Sequence, residues 1–392
     1  MSQADTSLVQ ILNNWAVGET PTELEWQGLA EEVLESPQWS RVFGITLANV
    51  EEVNQAGLGF AQRQARSPSD PISLAHLLKA LYFDILSLPS FHPSTKLSRE
   101  TEEISQSQIP NLKSKILFSL LSLWLPFALQ LAASRQQLGR PFIQGILGGQ
   151  GTGKTTLGTV LTLILAQLGY RTLNLSLDDL YKTYAERQRF QAKDPRLIWR
   201  GPPGTHDVEL GIELLDQLRQ PNQPQSILVP RFDKSAWGGA GDRTTPEKVE
   251  GIDIVLFEGW FVGIRPIDPA VFDAPTPAPI QTLADRAFAR DMNEQLKDYL
   301  PLWERLDRLM LLYPTDYRLS QQWRRQAEQQ MIATGKSGMT NAQINRFVEY
   351  FWKSLHPELF ITPLTKNPSY VDQVVEINPD HSPGAIYRPG DA

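Results

Sequence analysis

The chain contains no cysteine among its 392 residues, which removes disulfides, thiolate nucleophiles and zinc–thiolate sites. A reducing compartment fits that absence, and a cytoplasmic setting is expected. Positive charge is in deficit, with 37 Lys and Arg against 44 Asp and Glu and a net charge of −7. No general basic field therefore invites nucleic acid or an anionic membrane surface. Residues 1–9 have no basic segment leading into an apolar stretch, so no secretory signal is expected. Internal repeats and sustained low-complexity runs are lacking as well. What is present is ordinary for a globular protein: 41% hydrophobic, 9% aromatic and 21% charged residues, in a chain long enough for more than one core.

One stretch lacks charge altogether. Residues 116–133 carry none and are long enough to span a bilayer. Ser119, Ser122 and Gln130 are polar, however, Pro126 breaks the interior, and a strand-like segment follows closely. These features favour a buried helix leading into a sheet over a membrane span, and no membrane partner is expected.

Residues 1–110 read as a mostly helical region. Leu8, Ile11, Leu12 and Trp15 recur at helical spacing, as do Leu29, Val33 and Leu34. Pro21, Pro37, Pro71, Pro89, Pro93 and Pro110 punctuate the segments between them. No catalytic spacing falls here. Within residues 111–392 strands alternate with helices. The segments 142–147, 171–177, 226–232, 252–257, 308–313 and 374–377 read as strands, and 155–168 as a helix. Such alternation predicts a parallel sheet with helices on both faces. Residues 266–279, rich in Pro and Ala, read as a surface loop or linker.

The first of these strands runs into Gly148, Gly149, Gln150, Gly151, Thr152, Gly153, Lys154 and Thr155, with Thr156 next. This matches G-x-x-x-x-G-K-[ST] at every fixed position, between a strand and a helix. Glycines let successive N–H groups turn inward to cradle phosphate oxygens at the positive end of the helix dipole. Lys154 would reach the β- and γ-phosphates of ATP, and the Thr155 hydroxyl would face Mg²⁺. The fold class expected is therefore an α/β P-loop NTPase-type sheet preceded by a mostly helical region. A phosphate loop names a nucleotide and not a reaction, so the acceptor side must decide.

Two carboxylates bear on that decision. The second strand ends in Asp178 and Asp179, beyond the carboxyl end of a strand, where ligands of open α/β folds bind. Asp178 there can accept the proton of an attacking hydroxyl, while a helix-capping role is open to either residue. Glu258 closes the segment 252–257 and is the expected metal-anchoring acid; Asp253 lies at the wrong end of that strand.

The set GGQGTGKTT, SLDDLY, RGPPGTHD, PRFDKSAWGGAGDR and FEGW, in this order, resembles the D-glycerate 3-kinase family. That family belongs with phosphoribulokinase, uridine kinase and pantothenate kinase among P-loop kinases. The resemblance runs from about Leu112 to Met339 and takes in Trp323 to Glu328 and Gly335 to Met339. It implies transfer of the ATP γ-phosphoryl group to the 3-hydroxyl of D-glycerate, with Asp178 as base and Glu258 helping to hold Mg²⁺. It also implies a five-stranded parallel core and a mobile lid. Phe232 stands where relatives often carry Tyr, and Asp179 where uridine kinases carry Ser, which bears on the acceptor pocket.

A carboxylate-bearing acceptor calls for a guanidinium fork. Arg200, Arg231, Lys234 and Arg243 are the candidate cations, Arg231 first because a strand delivers it, and His206 is a further substrate-binding candidate. Residues 319–332 read as a helix within a lid spanning about 318–340. By the family pattern its Arg324 contacts the transferring phosphoryl group, near Arg318 and Arg325; Trp323 reads as a packing residue. Two other readings stand beside this one: a kinase of the same fold acting on a nucleoside, pantothenate or a sugar phosphate, and a non-catalytic ATP switch. The sequence assigns no oligomeric state and no adenine contact.

Overall fold

The structure is a computed structural model and describes residues 22, 24–26, 28–29, 37–45, 74–91, 108–221, 226–333 and 338–391. Leu8, Ile11, Leu12, Trp15, Pro21, Val33, Leu34, Pro71 and Pro93 lie outside the described residues, as do Gly335, Lys336 and Ser337. Two compact units are present, one of Met1–Gln137 with Thr155–Thr172, the other of Leu138–Lys154 with Leu173–Ala392.

In the first unit the described residues are mostly helical. The helix Leu74–Leu86 buries Leu77, Leu78, Leu81, Tyr82 and Ile85 at a spacing of three to four, as the helical period demands. The charge-free run lies within a continuous helical stretch, Gln108–Ser119, Leu120–Trp124 and Leu125–Leu138. Pro126 does not end it. The backbone widens to π spacing over Leu120–Trp124 immediately before the proline, which removes one donor without breaking the axis. The most apolar window of this helix is 83% buried, the condition that the buried-helix reading requires. Trp39 Nε1 donates to the Leu121 carbonyl at 2.9 Å and Gln130 Nε2 to that of Phe43 at 3.0 Å, so its polar interruptions are satisfied from within the unit.

The second unit is built on a six-stranded sheet. The strands are β1 (Phe142–Gly148), β2 (Thr172–Ser176), β3 (Ile227–Asp233), β4 (Asp242–Val249), β5 (Ile254–Gly259), β6 (Arg308–Pro314), β7 (Gln373–Ile377) and β8 (Pro383–Tyr387). The sheet order is β2-β5-β1-β6-β7-β8, with β5, β1, β6 and β7 mutually parallel and β8 antiparallel to β7. The fold is the mostly parallel α/β P-loop architecture, one edge strand larger than the five-stranded core expected. Alternate residues Ile143 and Leu147 of β1, Val255 and Phe257 of β5 and Leu309 and Leu311 of β6 share one face. They join Leu214, Leu215 and Leu218 of the helix Val208–Leu218 and Phe288 of the helix Leu283–Gln295 in one core.

The segment 226–232 is the expectation that fails. It forms β3, but outside the main sheet: it pairs antiparallel with β4 in a separate two-stranded ribbon. Its alternation explains why, since Ile227 and Val229 are buried while Leu228 between them is 64% exposed, a strand with only one covered face. The Pro/Ala-rich loop 266–279 is also partly ordered, with a short 3₁₀ turn Pro269–Asp273 that buries Phe272.

Candidate active site

At the carboxyl end of β1 the chain turns through Gly149 to Gly153 and enters the helix Lys154–Gln167. Gly151 has φ of 80°, and a methyl group there would come within 2.6 Å of Trp323 Cβ, so glycine is required on two counts. Lys154 Nζ folds back on its own loop, donating to the carbonyls of Gly148 at 2.7 Å and Gly149 at 3.0 Å. Its ammonium lies 3.9 Å from Glu258 Oε2, the outer edge of an ion pair. Burial draws Lys154 below the usual lysine range, opposed by the Glu258 and Asp178 carboxylates. Thr155 is exposed in the first helical turn and Thr156 half-buried.

β2 delivers the acceptor loop, a 3₁₀ turn over Leu177–Leu180. The two aspartates divide the roles that the sequence left open. Asp179 takes the capping-box role: as N3 its carboxylate accepts from the backbone N of the N-cap, Ser176, at 3.0 Å, while the Ser176 hydroxyl accepts in return. Asp178 turns toward the site, with Oδ2 2.6 Å from Lys234 Nζ. Burial pushes the Asp178 carboxyl up, but the Lys234 ammonium and hydrogen bonds from Lys234 and the Tyr181 hydroxyl outweigh it, leaving the group below the ordinary aspartate range. Gly259 lets the end of β5 pack closely against the Asp178 turn; a methyl group there would meet Leu177 Cβ at 2.7 Å.

Tyr181 was not expected as a site residue, although it stands three positions after Asp178 in the same motif. Its ring stacks on His206 at 4.5 Å and 22° and meets Phe232 edge-on at 5.0 Å. His206 is buried, with Nδ1 2.8 Å from the Tyr299 hydroxyl, which also accepts from Gly204 N. Desolvation lowers the His206 pKa to about 3, so the ring is neutral at physiological pH. Its Nε2 is buried without a hydrogen-bond partner. Nothing in the sequence pointed to Tyr299.

The cations sort by what already holds them. Arg231, the first choice from sequence, is spent. Its Nε and Nη2 donate to Glu247 Oε2 at 2.8 and 2.6 Å, and Nη1 to Asp179 Oδ2 at 2.8 Å and Asn174 O at 3.0 Å. Arg243 holds the Tyr181 carbonyl at 2.9 Å and Asp207 at 2.8 Å. Arg200 uses only Nη1, on the carbonyls of Gly239 and Ala240, and its guanidinium lies 5.9 Å from the Tyr181 ring centroid. A fork with donors to spare thus stands beside the residue that holds Asp178.

The segment expected to form a lid contains the helix Leu319–Ala333. Trp323 is buried against Gly151 and donates to Pro379 O at 3.0 Å, so it packs as expected. Arg324 is not gathered with Lys154 and Asp178: its Nη2 lies 3.2 Å from Glu328 Oε2 and its guanidinium over Phe347. Its Nε is buried without a partner.

Among the described residues no cluster of three or more His, Cys, Asp or Glu could hold a metal on its own. Mg²⁺ needs none, because it is held by one or two protein groups together with substrate phosphates. The Glu258 carboxylate beside the phosphate loop and the Thr155 hydroxyl fit that donor set.

No family model matches the chain. Over 221 residues it is 31% identical to an uncharacterized kinase of Schizosaccharomyces pombe, a match that covers 54% of this chain and 79% of that protein. Over 256 residues it is 30% identical to the chloroplastic D-glycerate 3-kinase of Arabidopsis thaliana. The chain belongs to the same kinase family as the Schizosaccharomyces pombe protein. The match to the Arabidopsis protein covers 62% of this chain but 54% of that relative, so the chain spans about half its length. The solved structure of the D-glycerate 3-kinase from Cryptococcus neoformans is 29% identical, with a TM-score of 0.57, and the match covers 64% of this chain and 90% of that one. The likenesses to the two D-glycerate 3-kinases point the same way as the order of motifs read from the sequence.

Proposed function

We propose that this kinase transfers the γ-phosphoryl group of ATP to the 3-hydroxyl of D-glycerate, giving 3-phosphoglycerate and ADP. The observation that carries the reading is Asp178: an ionised carboxylate beyond β2, fixed by Lys234 at 2.6 Å and electrostatically coupled to Lys154 of the phosphate loop. A nucleotide switch has no use for a base in that position, and a hydroxyl-phosphorylating enzyme does.

The acceptor hydroxyl donates to Asp178, and its oxygen attacks the γ-phosphorus as the bond to the β–γ bridging oxygen breaks. The hydroxyl proton passes to Asp178. A carboxylate held below its ordinary range is a weak base, which suits a loose transition state where positioning and charge dominate. Lys154 leaves its loop carbonyls for the β- and γ-phosphates. Arg200 takes the acceptor carboxylate in a two-pronged bond. Neutral His206 offers the buried Nε2 to the acceptor side, with Tyr299 fixing the other ring nitrogen. Arg324 exchanges Glu328 for the transferring phosphoryl group when the lid closes. Thr155 and Glu258 would hold Mg²⁺, which would neutralise charge on the phosphates. The same proposal keeps residues 1–110 free of catalytic groups and the setting cytoplasmic.

A coupled ADP-release assay across small hydroxy acids, nucleosides, pantothenate and sugar phosphates tests it. D-Glycerate as the best acceptor supports the proposal. Another acceptor turned over far faster, or ATP consumed with no phosphorylated product, contradicts it.

A further inference from the structure

Beside the acceptor loop is a cavity of about 430 Å³, within the size range of small-molecule sites. Its lining is mixed. Arg187 and Arg200 supply positive charge, both tethered to the Ala240 carbonyl. Arg187 Nε is buried without a partner, and Arg200 also lies over the ring of Tyr181, whose hydroxyl bonds Asp178. Beside Gln188 and Gln191, the lining also offers exposed apolar surface: Phe190 is 40% exposed, Ile198 51%, Trp199 36% and Trp237 65%. D-Glycerate has a carboxylate and two hydroxyls and nothing to place against such walls.

The Trp237 wall is held at a cost. Its φ is 52°, a region that bulky residues avoid. Stacking on Tyr184 at 4.9 Å and 12°, with a 2.9 Å bond from Nε1 to Asp242 Oδ2, keeps it there. Strain of this kind is kept where a site needs the side chain in that place.

We propose that the acceptor compartment extends into this cavity, so that the enzyme accepts hydroxy acids larger than glycerate. These carry an aryl or branched alkyl group that packs on Trp237, Trp199 and Phe190 while the carboxylate meets Arg200. The proposal rests on the hydroxy-acid reading given above. It adds a substrate class defined by the mixed lining: an anion for Arg200 and an apolar tail for the aromatic walls.

The test uses the full chain, a non-hydrolysable ATP analogue for binding and ATP for turnover. The probes are D-glycerate and a glycerate analogue with a phenyl group on its central carbon. Burying the phenyl ring predicts roughly tenfold or more tighter calorimetric binding of the analogue than of glycerate. Trp237→Ala, at an exposed position, removes that excess and leaves glycerate turnover within about twofold. Phe190→Ala gives a smaller loss in the same direction. An analogue that binds no tighter than glycerate overturns the cavity proposal, whether or not glycerate is phosphorylated. An excess that survives both substitutions overturns it too. Tight analogue binding that is sensitive to Trp237, with no turnover of glycerate, supports the cavity and sinks the glycerate reading alone.

Discussion

The phosphate loop and the acceptor loop both lie beyond carboxyl ends of strands of one sheet, yet they are built in opposite ways. The phosphate loop is local. Eight consecutive residues supply its glycine conformations, its lysine and its hydroxyl, with Trp323 and Leu312 packing on it from afar. The acceptor side is assembled from β2, the loop 197–206, the β3–β4 ribbon and Tyr299. The comparison teaches that the nucleotide end of such a kinase is fixed by a motif, whereas the acceptor end is fixed by long-range packing.

The substitution with the largest expected effect is Asp178→Asn. It keeps shape and removes charge, so turnover should fall roughly 10²- to 10⁴-fold with ATP affinity nearly unchanged. Asp179→Asn is its control; as a cap it should be the milder of the two in turnover. Greater damage from Asp179 would place the base one residue further on. Lys154→Ala follows, with turnover down on the order of 10³-fold and nucleotide binding weakened as well. Steady-state kinetics with separate titration of ATP shows whether the two ends respond as differently as their construction implies.

A finer pair addresses the forks. Arg200→Lys keeps the charge but loses the two-pronged geometry and should raise the acceptor KM about tenfold. Arg231→Lys should leave that KM within about twofold, because its donors serve Glu247 and Asp179. The reverse ranking would restore Arg231 as the carboxylate ligand.

These forks also show how far the sequence could be read. The central strands β1, β5 and β6 were legible because each is a mostly apolar run, buried almost throughout, whereas the edge strand β8, short and half exposed, was not read. The ribbon was not, since β4 is Asp-Arg-Thr-Thr-Pro-Glu-Lys-Val, polar almost throughout and largely exposed. Without β4 nothing revealed that Glu247 would stand close enough to take the Arg231 guanidinium. The capping choice between Asp178 and Asp179 was likewise undecidable until the turn geometry gave Ser176 to Asp179. Tyr181 carried a weak signal, its motif position; Tyr299, 93 positions from His206, carried none.

The smallest effect concerns pH. Lys234 and the Tyr181 hydroxyl favour the charged form of Asp178, and burial opposes them. With Lys234→Ala or Tyr181→Phe, burial gains weight and the Asp178 pKa rises. The acid limb of the kcat/KM profile should therefore move to higher pH in either variant. An unmoved limb would mean that Asp178 is not the titrating base.

The account's central claim is transfer from ATP to one particular hydroxyl. Phosphorus NMR of the enzyme with ATP, Mg²⁺ and D-glycerate tests it most directly. The account predicts ADP and 3-phosphoglycerate appearing in equal amounts. A 2-phospho product, or ADP with inorganic phosphate alone, would contradict it.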